Sequence, residues 1–280
     1  MPTFTVPGAV PVVVDVPFGN LHVVAGTRDD VVVTVLPADP TKAGSVRAAE
    51  ETRVRQEGDA VTIVYPASWR QYVLPFAAGG AQVTIELPAG SDLRGKAGSL
   101  YAEGRLGTVE LTLNGGDARV DEVARLDVTV SAGSVVAGHV TSSAAVRASA
   151  GSVRVTELSG EGEIRARNGS TSVGALTGTL RVDGVHGDVT VGTVRGTLEA
   201  RAAAGSLRVD RVESGALDLT TSYGSIEVGV PQGTAAWLDV SSKHGTVRNG
   251  LTASDGPVDG DATVEVRAGT GYGDVVLRRP

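Results

Sequence analysis

Residues 169–209, GSTSVGALTGTLRVDGVHGDVTVGTVRGTLEARAAAGSLRV, contain the pattern that decides the fold. A glycine followed by Ser or Asp stands at Gly169, Gly187 and Gly205, so that the interval between neighbours is constant. With Ser, Asp or Thr following, this glycine recurs at Gly98, Gly116, Gly133, Gly151, Gly169, Gly187, Gly205, Gly224, Gly245 and Gly273. The differences between successive positions stay close to one value as far as Gly205 and then widen, most of all before Gly245 and Gly273. A fixed period of this length predicts a repeat architecture.

Apolar residues stand two and four places after each repeat glycine, usually with a polar residue between them. Val189 and Val191 flank Thr190 in this way, and only Thr171 and Asn249 interrupt the two apolar columns. Such alternation is typical of a half-buried strand. A second glycine precedes a second alternating segment in several units, at Gly160, Gly178, Gly196 and Gly215. Each unit is therefore predicted to contain two short strands and two turns.

The alignment of the columns distinguishes the possible topologies. In a solenoid, equivalent residues of successive coils lie directly above one another, and like strands run parallel about 4.8 Å apart. A hairpin meander gives no reason for the same residue class two places after every glycine. A three-sided hexapeptide helix needs an apolar residue every six places, whereas the apolar offsets here are 2, 4, 7, 11 and 13. The sequence predicts an all-β fold, a β-solenoid of the parallel β-helix or roll type with coils of about 18 residues.

Residues 1–92 are also strand-rich but lie outside the regular register. Their patterns predict strands at 10–16, 21–24, 31–36, 52–56, 61–65 and 83–87, a short helix at 41–50 and a long loop at 66–80. A solenoid needs caps over its terminal coils. We therefore expect a β-rich N-terminal cap with irregular early coils over 1–92, and a regular solenoid over 93–280 that continues it as one domain. The wider spacing near Trp237 and Pro257 predicts loops between the late coils.

Composition narrows the possible partners and compartments. The net charge of −7 disfavours a nucleic-acid-binding protein, which normally carries a basic field. The chain has no cysteine, so a disulfide, a thiolate metal site and a cysteine nucleophile are excluded. The first residues lack a basic segment before an apolar run, and no stretch approaches the ~18 apolar residues of a membrane span. We expect a cytoplasmic protein without a membrane span.

The repeat resembles that of the bacterial toast-rack family, β-strand-repeat proteins of unknown function that are candidate adhesins. Three stretches are similar to its soluble actinobacterial branch: Trp69-Arg70-Gln71-Tyr72, Ser222-Tyr223-Gly224-Ser225-Ile226 and Gly233-Thr234-Ala235-Ala236-Trp237-Leu238-Asp239-Val240. The resemblance covers essentially the whole chain. It implies a β-solenoid without enzymatic activity and a role in adhesion or envelope-stress signalling, and it supplies no catalytic residues.

Two groups of side chains are candidates for a binding surface. The residue before the late repeat glycines is aromatic or histidine, and Tyr223, His244 and Tyr272 can stack as an exposed ladder that seats a sugar ring or a partner, or as a packing ladder. The outward positions of the second strand form a column of Arg147, Arg165, Asp183 and Arg201 beside a column of Glu163, Arg181, Glu199 and Asp218. Alternating signs predict a solvated face held by ion pairs, or a face that binds a sugar or a polyanion.

The polar residues after the glycines are predicted to make turn hydrogen bonds. A calcium-binding β-roll is the alternative, but it needs Gly-Gly-x-Gly-x-Asp in both half-turns, and only Gly115-Gly116-Asp117 approaches that pattern. The four histidines fall at different coil positions, and the sequence lacks nucleophile-elbow, phosphate-loop and dinucleotide motifs. We expect no metal and no cofactor.

The leading functional hypothesis is a non-enzymatic binding or scaffold protein with a protein or glycan partner. A surface adhesin follows from the family resemblance. A self-assembling filament is an alternative, because unblocked solenoid ends can stack coil on coil. A carbohydrate-active enzyme is another, because polysaccharide-cleaving β-helices carry clustered carboxylates on a sheet face.

Overall fold

The computed structural model describes residues 2–65, 79–251 and 262–280, and strands dominate it. The helix is α1 (Ala43–Glu51). The strands are β1 (Thr3–Thr5), β2 (Pro11–Gly26), β3 (Asp30–Pro37), β4 (Arg53–Glu57), β5 (Ala60–Val64), β6 (Ala81–Pro88), β7 (Asp92–Leu113), β8 (Ala118–Ala132), β9 (Val135–Ala150), β10 (Val153–Asn168), β11 (Thr171–His186), β12 (Val189–Ala204), β13 (Leu207–Tyr223), β14 (Ile226–Gly229), β15 (Thr234–His244), β16 (Val247–Asn249), β17 (Ala262–Tyr272) and β18 (Val275–Arg278). The chain forms two compact units, Met1–Gly138 and His139–Pro280.

The first unit is a short stack of parallel strands. Strand β2 pairs in parallel with β5 and β6 along one edge and with β7 along the other. Strand β8 continues the stack beyond β7, so that Leu21, Leu100 and Ala118 occupy equivalent places on successive strands. All three are buried, because the alternation of the sequence turns one set of side chains inward on each strand.

Antiparallel strands cover the outer edge of this stack. Strand β3 pairs antiparallel with β6, β1 with β3, and β4 with β5. Helix α1 packs against β3 and β6 and buries Ala48. The predicted strands and helix of the N-terminal region are confirmed, although 10–16 and 21–24 belong to one strand whose register with β7 shifts between Val16 and Asn20. The predicted loop falls almost wholly outside the described residues, as does the stretch Trp69–Tyr72, and the boundary at residue 92 stays a prediction.

The second unit contains the regular coils. Strands β10 to β13 are parallel, and Val155, Val173, Val191 and Val209 lie in register from one strand to the next. The slightly longer spacing between Gly205 and Gly224 arises from a bulge, because the register of β12 with β13 shifts after Val194. Equivalent residues therefore stack as the repeat predicts, and the predicted β-solenoid is confirmed.

The coils differ from the prediction in one respect, because each carries one long strand in place of two short ones. Strands β10, β11 and β12 are each 16 residues long. The second glycine column lies inside them, at Gly160, Gly178 and Gly196, with φ of 106°, 125° and 132°. These glycines are paired with one another in register, so every strand bends at the same place and the parallel ladder continues through the bend.

The last coils are not stacked in sequence order. Strand β17 lies between β13 and β15, and β18 lies between β14 and β16. The repeat glycines consequently stack in the order Gly224, Gly273, Gly245, which differs from their order in the chain. The two widest spacings between repeat glycines accompany this exchange, in which the chain passes to an outer coil and then returns. The predicted loop near Pro257 lies outside the described residues.

Stacked aliphatic side chains fill the interior of the second unit. Leu180, Leu198, Leu217 and Val266 form one continuous buried column. Where the column has Gly162, the methyl groups of Leu158 and Leu180 occupy the space that a side chain would take. In the described residues, no helix has the length and apolar character that crossing a membrane would require.

Candidate functional site

The three ring residues singled out in the sequence stack on one another in the second unit. The ring centroids of Tyr223 and Tyr272 are 5.1 Å apart with an interplanar angle of 4°, and those of Tyr272 and His244 are 4.4 Å apart at 15°. Tyr272 is the middle ring because β17 lies between β13 and β15. Tyr223 and Tyr272 remain 60% and 50% exposed, so this aromatic ladder presents ring edges and hydroxyl groups to solvent.

A shelf of small residues lies beside the aromatic ladder. Thr220, Gly269 and Ser241 are neighbours in register on β13, β17 and β15. They occupy the column that holds Arg165, Asp183 and Arg201 in the preceding coils. The loss of long side chains leaves an open groove of about 530 Å³, which the ladder, Ser222 and Lys243 also line.

Some hydroxyl groups near this groove already have structural partners. Thr221 Oγ1 donates to the carbonyl oxygen of Gly205 at 3.0 Å, and Thr270 Oγ1 donates to that of Gly224 at 2.8 Å. Both threonines are buried and therefore serve the turn. The exposed side chains that line the groove include those of Thr220, Ser222, Ser241 and Lys243.

Trp237 extends the aromatic surface along β15. Its side chain is 55% exposed, and the guanidinium carbon of Arg267 lies 5.6 Å from its ring centroid, which is cation–π geometry. A second open groove of about 730 Å³ lies beside it. The stretch from Trp237 to His244 spans roughly 23 Å of extended strand. Trp237 is not among the site residues predicted from the sequence. It stands two places before Asp239 and therefore on the same outward face of the strand, which is a signal that could have identified it.

The charged columns form a network of ion pairs. Glu163 and Arg165 approach to 2.5 Å, Glu199 and Arg201 to 2.7 Å, and Arg181 reaches Glu199 of the next coil at 3.3 Å. A hydrogen bond to Asp183, strengthened by the charges of Asp183 and Glu199, raises the pKa of Arg181 above its ordinary value. Arg147 is exposed on β9.

The groove lies on the same face of the sheet as Arg165, Asp183 and Arg201, because Thr220 is the next residue in register after Arg201. Within each coil the pairs join residues two apart on one strand, as the alternation of signs across the two columns predicts. Paired carboxylates of this kind are a poor source of a free general acid and base.

The aspartates after the repeat glycines bind the backbone of a neighbouring coil. Asp117 accepts a hydrogen bond from the N–H of Ser134 at 2.7 Å, and Asp188 accepts one from Ser206 at 2.8 Å. Asp274 accepts one from Thr246 at 2.9 Å across the exchanged coils. These contacts are the predicted turn chemistry. The described ranges contain no group of three or more His, Asp and Glu residues placed to hold a metal ion.

Comparison with known proteins gives one family match. The family described as Toastrack DUF4097 matches residues 19–278. No curated protein sequence matches the chain.

Solved structures of three bacterial proteins also align with nearly the full length of the chain. A candidate cell adhesion protein from Clostridium sporogenes aligns over 100% of this chain and 98% of its own, at 10% identity and a TM-score of 0.24. A candidate adhesin from Parabacteroides distasonis aligns over 98% and 95%, at 13% identity and a TM-score of 0.28. A candidate adhesin from Bacteroides fragilis aligns over 99% and 95%, at 11% identity and a TM-score of 0.26.

Proposed function

Because the chain belongs to the Toastrack DUF4097 family, we propose that it is a non-catalytic, adhesin-like binding protein that docks a protein partner on its last coils. The observation that carries this proposal is the aromatic ladder of Tyr223, Tyr272 and His244, which is exposed beside an open groove. Trp237 lies on the same strand as His244.

The residue types on this face are those that protein interfaces use. Tyr, Trp and Arg are enriched at interface cores and supply most binding hot spots. Tyr223, Tyr272 and Trp237 are large side chains that remain about half exposed, and Arg267 lies over the ring of Trp237. Exposed apolar surface grouped in this way marks a site of interaction.

The arrangement of the rings favours a protein over a glycan. A sugar stacks on a free ring face, whereas both faces of Tyr272 are covered by Tyr223 and His244. The middle ring therefore offers its edge and its hydroxyl group, against which the side chains of a protein can pack and donate, and the face of Tyr223 that no ring covers is turned towards Ala204. The grooves are shallow and open, unlike the enclosed pockets that bury a small molecule.

The ion pairs support a binding role over the carbohydrate-active alternative. Glu163, Asp183 and Glu199 each lie within 3.3 Å of an arginine nitrogen. A glycosidase of the usual type needs two carboxyl groups that flank a bond, one of them protonated. Carboxylates that are already paired with arginine do not form such a free pair, so this face is suited to recognition.

A site-specific photocrosslink tests the proposal. Benzoylphenylalanine at position 220 should crosslink one protein in the native host, to be identified by mass spectrometry and then purified. Tyr272→Ala and Trp237→Ala should each weaken its binding by at least about tenfold in calorimetry, as hot-spot truncations do. Tyr101→Ala, which removes an exposed tyrosine from the first unit, is the matched control and should leave the affinity unchanged.

Two results would contradict the proposal. One is equal affinity of the Tyr272 and Trp237 variants and the parent chain for the identified protein. The other is a crosslink to a polysaccharide alone, which would favour the glycan partner.

The cytoplasmic location expected from the sequence stays a prediction, and fractionation of the same cells tests it. Adhesion and envelope-stress signalling would both be served by such a face, and the identity of the partner distinguishes them.

Self-assembly is a second candidate, favoured by the position of β15 and β16. Within the described ranges these strands pair only with β17 and β18 and so lie at the outer edge of the second unit. Val247 of β16 is exposed although its equivalents in the other coils are buried. An unpaired edge is a template for strand addition. Light scattering at increasing concentration tests this, and a constant monomer mass would exclude it.

A further inference from the structure

The column that carries the aromatic ladder has one gap. In register it reads Asn168, His186, Ala204, Tyr223, Tyr272 and His244. His186 and Tyr223 are both exposed and lie two strands apart, and the residue between them is Ala204, which is only half-buried. A ring-bearing residue thus stands on either side of a position with a single methyl group.

The width of the gap follows from the sheet. Adjacent strands are about 4.8 Å apart, so the backbone positions of His186 and Tyr223 are separated by about 9.6 Å. The ladder itself stacks its rings at centroid distances of 5.1 and 4.4 Å. One ring inserted over Ala204 would therefore meet each neighbour at about the spacing that the chain already uses between its own rings, which lies in the range that aromatic pairs prefer.

Backbone N–H groups beside the gap already donate hydrogen bonds within the protein. The N–H of Gly187 donates to the carbonyl oxygen of Ala204 at 3.0 Å, and the N–H of Gly205 donates to that of Tyr223 at 2.8 Å. The N–H of Ser206 is held by Asp188. Val185, the residue before His186, is an apolar residue that is 44% exposed. A sugar needs partners for several hydroxyl groups, whereas an aromatic ring needs flat apolar neighbours.

We propose that the gap over Ala204 is a binding slot for one planar aromatic ring, supplied by a Trp, Tyr or Phe side chain of the protein partner. This inference rests on the proposed function and specifies how the partner is recognised. The inserted ring would complete a continuous row from His186 to His244. Tyr223 would then have a ring on both faces, and the partner would be fixed in register with the coils.

Nuclear magnetic resonance on the full chain tests the slot directly. The protein is labelled in its histidine and tyrosine rings and titrated with N-acetyltryptophanamide, with methyl β-glucopyranoside as the sugar probe. The tryptophan probe should shift the ring signals of His186 and Tyr223 saturably and leave Tyr101 unmoved. The sugar should shift neither of the slot residues.

Two substitutions of the same kind separate the slot from the rest of the column. Ala204→Tyr fills the gap and should reduce probe binding at least tenfold, although it removes no existing group. Ala150→Tyr places the same ring on the same column position of β9, next to Asn168 and away from the gap, and should leave probe binding intact. His186→Ala removes one wall and should also weaken binding, which gives a second reading if Ala204→Tyr does not fold.

The outcomes distinguish this inference from the function on which it rests. Shifts that do not saturate, shifts that persist in Ala204→Tyr, or shifts caused by the sugar alone would each overturn the slot, while the loss of partner affinity in Tyr272→Ala would still support the binding face. If Ala204→Tyr excludes the probe but binds the purified partner as tightly as the parent chain, the slot does not serve that partner and the inference is wrong.

Discussion

At the scale of single residues, the glycines set the geometry of the coil. Gly178 has φ of 125°, and a Cβ atom built there would lie 2.2 Å from the carbonyl oxygen of Gly160 in the preceding coil. Both the left-handed backbone and the closeness of the neighbouring strand therefore exclude a side chain. The sequence repeats glycine at this place because each coil must pass through the same conformation in contact with the last.

Gly178→Ala should consequently lower the free energy of unfolding by at least about 2 kcal/mol, the sum of a strained backbone and a displaced strand. Gly26→Ala is the control, since Gly26 has an ordinary φ and no atom within 4 Å of a built Cβ, and it should change stability by less than about 0.5 kcal/mol. Urea unfolding of the two variants measures both effects. Equal stabilities would show that the bend tolerates a side chain.

The ion pairs of Arg28 give the first unit a pH-dependent contact. Arg28 Nε donates to Asp30 Oδ1 at 2.7 Å, and Arg28 also binds Glu86. The hydrogen bond from Arg28 lowers the pKa of Asp30 below its ordinary value of 3.8. A carboxyl group with a lowered pKa in the folded chain stabilises the fold above its unfolded pKa, and the contribution is lost as the pH falls through the folded value.

Arg28→Gln should therefore raise the pKa of Asp30 towards 3.8. Its stability should approach that of the parent chain once the pH falls below the lowered pKa of Asp30, because Asp30 is then protonated in both proteins. The carboxyl carbon signal of Asp30, followed by NMR between pH 2 and 6, measures the change. An unchanged titration curve would mean that Arg28 does not hold the carboxylate in solution.

At the scale of strands, the order of pairing decides which side chains meet. The ladder runs Tyr223, Tyr272, His244 because β17 lies between β13 and β15. Stacked aromatic pairs contribute about 0.5–1.5 kcal/mol beyond the area that they bury. Energetic coupling should therefore follow the order in space.

Double-mutant cycles with alanine test this order. Tyr223 and Tyr272 should couple by about 0.5–1.5 kcal/mol, and so should Tyr272 and His244, whereas Tyr223 and His244 should be additive within about 0.3 kcal/mol. Chemical denaturation of the three single and three double variants, each compared with the parent chain, supplies the six changes in the free energy of unfolding that the cycles need. A coupling energy between Tyr223 and His244 as large as the other two would mean that these rings are direct neighbours, which would contradict the observed order of the strands.

The central coils could be predicted from the sequence because their register is local. Val155, Val173 and Val191 each stand one repeat period after the last, and a constant offset needs only a constant turn. The exchange of the last coils could not be predicted, since the choice between β15 and β17 as the neighbour of β13 depends on packing between distant segments. The ring residues could be chosen from their column, whereas the groove could not, because it arises where Thr220 and Gly269 replace the charged residues.

At the scale of the second unit, the exchange determines which strand is interior. Val266 on β17 is fully buried, whereas Leu238, its neighbour in register on β15, is partly exposed. Stacking in sequence order would reverse these environments. Substitutions at Val266 and Leu238 therefore distinguish the two strand orders by their effects on the free energy of unfolding.

Val266→Asp should lower the free energy of unfolding by about 3–5 kcal/mol, as an unpaired charge in a core does. Leu238→Asp should cost less than half as much, because solvent reaches that side chain. Thermal unfolding followed by circular dichroism ranks the two variants. A larger loss for Leu238→Asp would contradict the observed strand order.

The strict register of β10, β11 and β12 makes the middle of this unit modular in length. The stretch 171–188 forms one whole period, so excising it would join Ser170 to Val189 and leave every remaining side chain on the same inner or outer face of its strand. Whole coils could therefore be gained or lost there by duplication or deletion of one such stretch. The exchanged coils permit no such change, because β17 and β18 each lie between strands that come earlier in the chain. The insertion or deletion of whole coils is therefore confined to the coils before them.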